Sequence, residues 1–117
     1  MGIQVISRDT AVSSLKSSGP VAVPLSEPAC QIRGMDVSIA GRPGCDTGFW
    51  ECSQGRFRRQ VETGEVMYIL EGSGSFTPDG QGQAAIEFKA GDTLFFPPMT
   101  LGVWHIREQV RKLYVMV

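Results

Sequence analysis

The chain has 117 residues, 42% of them hydrophobic, and a formal net charge of −1. That length fits one domain with a buried core, and the balanced charge gives no electrostatic reason to expect nucleic acid or an anionic membrane as a partner. No apolar run approaches the ~20 residues of a bilayer-crossing helix, and residues Met1 to Asp9 have no basic segment leading into an apolar core, so no secretory leader is expected.

Residues 1–30 are rich in Ser, Pro and small side chains and are read as an arm packing on the domain that follows. Val12–Lys16 can form one short helical turn before Gly19, Pro20 and Pro24 stop it, and Val21, Val23 and Leu25 alternate like an edge strand. From residue 31 to 117 a single domain is expected. Fourteen glycines and seven prolines, nearly a fifth of the chain against a usual ~12%, predict many tight turns there. Strands are expected at Met35–Ala40, Gly48–Cys52, Arg56–Val61 and Glu65–Leu70, the last ending at Glu71-Gly72. Gly74–Thr77 and Ala84–Phe88 bracket the hairpin signal Pro78-Asp79-Gly80-Gln81-Gly82. Thr93–Phe96 runs into Pro97-Pro98, and Gly102–Ile106 and Val110–Val117 complete the series. No segment sustains a helical period, so the fold class is all-β, a sandwich or barrel.

Cys30, Cys45 and Cys52 are odd in number and irregular in spacing. They fit neither a disulfide framework nor a zinc clip, and reduced thiols in a cytoplasmic protein are the expectation.

Two spaced motifs stand out. Gly55 precedes Glu65-Val66-Met67-Tyr68-Ile69-Leu70-Glu71-Gly72, with Gly seven residues after Glu; Gly91-Asp92 precedes Pro97-Pro98. Together with Thr47–Cys52, Gly55–Arg58, Gly102-Val103-Trp104 and Arg111–Val115, this order resembles the cupin superfamily, and within it the cupin-3 group that includes ureidoglycine aminohydrolase-like proteins. The resemblance covers roughly residues 45–117 and implies an antiparallel jelly-roll barrel, the double-stranded β-helix. It also implies a metal held by two histidines before the first-motif Glu and one after the second-motif Pro. Those positions fall on Arg59, Val61 and Gly102, leaving Glu65 alone. One carboxylate is a poor transition-metal site, so no metal cofactor is expected; the alternative is a divalent ion such as Mn.

In the cupin register Arg59, Val61 and Glu65 point into the barrel, and alternation sends Phe57, Met67 and Ile69 inward too. Gly102, Trp104 and Ile106 share an inward face, and His105, the one histidine, turns outward. The candidate ligand-binding set is therefore Arg59, Glu65, Trp104, Met67 and Phe57. Arg59 and Glu65 can form a buried structural ion pair, or Arg59 can grip the carboxylate or phosphate of a ligand with its fork. Trp104 can fill the barrel or stack on a planar ligand. Arg56 and Arg58 read as a solvated face.

Three functions stay open. The first is a module that binds a small anionic metabolite in the barrel without a tightly bound metal. The second is a cupin-3 type enzyme acting on a small nitrogenous or carboxylated compound, with Glu65 as base. The third is a ligand-free interaction domain. The final run Leu113–Val117 is apolar on both faces, which predicts cover from the arm or from a second copy in a homodimer.

Overall fold

The computed structural model describes residues 2–117. Its elements follow in the order α1 (Arg8–Ser13), β1 (Lys16–Pro20), β2 (Gln31–Asp36), β3 (Thr47–Cys52), β4 (Gly55–Arg59), β5 (Glu65–Pro78), β6 (Ile86–Lys89), β7 (Thr93–Phe96) and β8 (Gly102–Met116). Every strand pairing is antiparallel, as an all-β barrel requires. No helix among the described residues is long and apolar enough to cross a membrane.

Two long strands organise the molecule. The first half of β5 pairs with β7 and with the second half of β8, which in turn pairs with β3, and β2 and β1 follow outward from β3. The second half of β5 pairs with β6 and with the first half of β8, which pairs with β4. β5 and β8 thus bend from one wall of the barrel into the other. The sequence reading cut each of them in two, at Glu71-Gly72 and between Ile106 and Val110. Gly72 is instead a point where the ladder slips: the register shifts between Ile69, Glu71, Ser73 and Gly74 against β8. Its φ is 90°, and a Cβ there would stand 2.2 Å from the Gln109 carbonyl oxygen. Only glycine tolerates both. Before the slip the buried positions are the odd ones (Glu65, Met67, Ile69); after it Gly74, Ser75 and Phe76 are buried in succession, and the Phe76 ring is the one in the core.

The arm also differs from its expected outline. The helix begins earlier, at Arg8, because the Ser7 hydroxyl caps it by accepting from the Thr10 amide at 3.1 Å. β1 then pairs with β2, and Val23 and Leu25 bond to the backbone of β4 at Arg58 and Arg56. The strand expected at Met35–Ala40 lies earlier, at Gln31–Asp36; residues beyond it turn back through a bridge between Ile39 and Arg42.

The core at the narrow end is aromatic. Phe76 lies against Phe96 (centroids 4.8 Å) and Trp104 (4.9 Å), Phe96 stacks on Trp104 at 5.5 Å, and Phe88 meets the indole edge-on at 5.6 Å. These four rings close the barrel below the cup and supply much of the burial that holds the two walls together.

Candidate functional site

Above that aromatic plug lies a cavity of about 360 Å³, with Trp50 (β3), Phe57 and Arg59 (β4), Glu65 (β5), and Trp104 and Lys112 (β8) in its lining. Val21 and Ala22 of the arm form part of the wall. With Ile32 of β2 also in the lining, the site is assembled from five strands and the chain segment that precedes them.

Its polar centre is a three-membered ion cluster. Arg59 Nη2 donates to Glu65 Oε1 at 2.9 Å, and Lys112 Nζ donates to Glu65 Oε2 at 2.7 Å. All three side chains are at least nine-tenths buried. Arg59 also donates through Nη1 to the Val61 carbonyl at 2.8 Å and the Thr100 carbonyl at 2.6 Å, and its Cζ lies 4.9 Å from the Phe96 ring centre. Its guanidinium thus ties the β4–β5 connection to the loop before β8. Lys112 Nζ stands 4.5 Å from the Trp50 ring centre and 5.3 Å from that of Trp104, the range of cation–π attraction. Burial pushes the Lys112 ammonium below the usual lysine range, and the neighbouring Glu65 carboxylate opposes that shift.

Of the residues singled out from the sequence, Arg59, Glu65, Trp104 and Phe57 line the cavity together. Met67 does not: it is wholly buried, and its Sδ accepts from Lys112 Nζ at 3.7 Å. Val61, expected to point inward, lies beyond the end of β4 at Arg59; it borders the cavity but is exposed. Arg58 is half-buried at the cavity edge, where it pairs with Asp79; Arg56 is exposed. Hydrogen bonds donated by Arg58, together with its positive charge, lower the Asp79 carboxyl below the usual range.

Lys112 is the residue that sequence reasoning missed. Its signal was present but interrupted: inward alternation set by Gly102, Trp104 and Ile106 breaks at exposed Arg107-Glu108-Gln109 and resumes on the same parity at Val110, Lys112, Tyr114 and Met116. The reading stopped at Ile106 because the strand was divided there. Tyr114 was likewise passed over. It borders the cavity, and its hydroxyl lies 3.3 Å from Asp36 Oδ1; burial, with Asp36 and Asp46 nearby, pushes the phenol up to about 12.

The metal that the fold implies does not fit these residues. Both Glu65 oxygens already accept from cations, and the Lys112 ammonium stands at contact distance from the carboxylate. Gly102, at the third histidine position, has no room for a side chain: a Cβ there would lie 2.3 Å from the Thr77 carbonyl oxygen and 2.8 Å from the Phe76 ring. No group of three His, Cys, Asp or Glu side chains is placed to hold a metal among the described residues.

Comparison with known proteins agrees with this architecture. The model of the EutQ-like cupin domain, Cupin_3, matches residues 44–114. The chain belongs to the EutQ-like cupin family. Among solved structures, a DUF861-family protein from Pseudomonas syringae pv. tomato is 21% identical with a TM-score of 0.77, over 92% of this chain and 46% of that one. This cupin therefore spans about half the length of the Pseudomonas protein. The Clostridium difficile EutQ protein is 19% identical with a TM-score of 0.64, over 82% of this chain and 79% of that one. A Thermotoga maritima DUF861-family protein is 30% identical with a TM-score of 0.55, over 59% of this chain and 76% of its own. No curated protein matches the chain.

Proposed function

We propose that the cup binds a small anionic metabolite at its cationic floor, without a resident transition metal. The observation that carries this reading is the charge count of the buried cluster: two cations, Arg59 and Lys112, share the one carboxylate of Glu65. A buried excess of positive charge is costly unless an anion compensates it. Donor use refines the picture. Arg59 spends three of its N–H groups on Glu65 and two backbone carbonyls, so it acts chiefly as a brace. Lys112 spends one donor on Glu65 and a second on a thioether sulfur, and an ammonium carries three. Lys112, rather than Arg59, is thus the cation with a donor to give a ligand, and Trp50 and Trp104 offer flat walls for its apolar part.

Small carboxylates should raise the melting temperature of the wild-type protein by mass action, while the matching neutral amides should not. Lys112→Met should abolish the response. Equal responses to acids and amides would refute an anion site.

The same reading extends to assembly. Outward-facing Phe49, Leu113 and Tyr68 sit side by side across β3, β8 and β5, with Val115 and Val66 in the next row. This half-covered apolar face supports the homodimer expected from the last strand.

A further inference from the structure

We infer that Lys112 captures a carbonyl: the cup takes a small aldehyde or 2-oxo acid, and Lys112 Nζ condenses with its carbonyl carbon to form an imine. This deepens the anion-binding reading and rests on it, because it names the class of acid the cup would hold.

The chain has three lysines, and they differ sharply in surroundings. Lys16 and Lys89 are exposed, whereas Lys112 is buried and borders the cavity. An imine-forming lysine needs an apolar pocket that releases its proton and an acid–base group at hand to move protons. Both are present. Two indole rings flank Nζ, and Glu65 Oε2 lies 2.7 Å away. Burial weakens the hold of the amine on its proton, which favours the nucleophilic form.

The step balances within the site. Glu65 takes one proton from the ammonium, and the freed nitrogen lone pair bonds to the carbonyl carbon while the C=O π pair moves to oxygen. A second proton passes from nitrogen to that oxygen, giving a carbinolamine. Glu65 then returns its proton to the hydroxyl, water leaves, and the nitrogen lone pair forms the C=N bond. The product is a protonated imine facing a Glu65 carboxylate, so the cluster keeps its original charge. The acid group of a 2-oxo acid compensates the excess positive charge left by Arg59 and the imine.

The test uses glyoxylate, which carries an aldehyde and a carboxylate on adjacent carbons, with the wild-type chain and cyanoborohydride. Hydride reduces the imine and leaves a carboxymethyl group on nitrogen, located by peptide mass spectrometry. We expect the label on Lys112 in clear preference to Lys16 and Lys89, because its amine alone lies in the cup beside a carboxylate and holds its proton less tightly. Glyoxylate that raises the melting temperature without labelling Lys112 would overturn the imine and leave anion binding intact. Equal labelling of all three lysines would also overturn it, because an exposed amine would then do as well. No stabilisation by any carboxylate, with no label, would bring down both readings.

Discussion

Glu65→Gln is the perturbation that most directly interrogates the buried cluster. It removes the single negative charge and leaves Arg59 and Lys112 facing each other across the cup. Breaking a buried ion pair by deleting one partner costs about 3–5 kcal/mol. Lys112 sets an upper bound, because it can shed its proton instead of staying charged. Moving a lysine with an ordinary value near 10.4 to its neutral form costs about 4.6 kcal/mol at pH 7 and about 1.9 kcal/mol at pH 9. The loss in Glu65→Gln should therefore be about 3–5 kcal/mol at pH 7 and should shrink toward about 2 kcal/mol at pH 9. Urea denaturation followed by tryptophan fluorescence suits the measurement, since Trp50 and Trp104 flank the lysine. With an m-value near 1.5 kcal/mol/M, the midpoint at pH 7 should fall by roughly 2–3 M. Adding Lys112→Met should recover more than half of the loss, because Arg59 keeps its two carbonyl partners. Adding Arg59→Met should not, because the ammonium is still uncompensated. A Glu65→Gln cost below about 0.5 kcal/mol, the scale of surface substitutions, would refute the reasoning. So would purely additive double variants.

Other outcomes follow from the same geometry. Gly102→His, which restores one histidine position of the cupin pattern, should destabilise the fold by at least the about 1–3 kcal/mol of an overpacked core and should not recruit Mn or Zn; stoichiometric metal after dialysis would contradict this. Tyr114, held up at about 12 against an ordinary value near 10, stays protonated in the folded state after the unfolded chain has lost its proton. Its contribution is therefore complete below about pH 10 and is lost as pH rises toward about 12, and Tyr114→Phe should flatten that part of the stability profile. Lys112 acts in the opposite sense at lower pH: its depressed folded value makes stability rise with pH up to the ordinary lysine range. Light scattering should give twice the 12.7 kDa chain mass; a monomer would assign the outer face to the arm alone.

Much of the fold was legible because turns and strands leave local marks. The Gly-Pro punctuation separated most strands, and the hairpin around Asp79-Gly80 joins β5 to β6 as expected. Glu65 was assigned inward by the cupin register and Trp104 by two-residue alternation from Gly102, and both line the cup. The division of β5 has a clear cause, that a glycine inside a strand reads like the end of one. Gly72 marks a register slip within β5, and local pattern cannot distinguish a slip from a stop. β8 was divided instead at the exposed polar run Arg107-Glu108-Gln109, which hid Lys112 and with it half of the cluster's positive charge. The partners of the Arg59 fork were not readable either, since Thr100 lies 41 residues away and offers only a backbone oxygen.

The sharing of β5 and β8 between both walls has a consequence for how the chain comes together during synthesis. β8 is the last strand in chain order, yet it is the direct neighbour of β3, β4 and β5. Until it emerges, β3 and β4 each lack their β8 neighbour, β5 lacks one side of its ladder along nearly its whole length, and the rings of Phe76 and Phe96 have no Trp104 to close over them. The nascent chain therefore displays open strand edges and an uncovered aromatic cluster, the features that invite pairing with other chains. Lys112 arrives on that same strand, so the cup acquires its second cation in the step that seals the barrel.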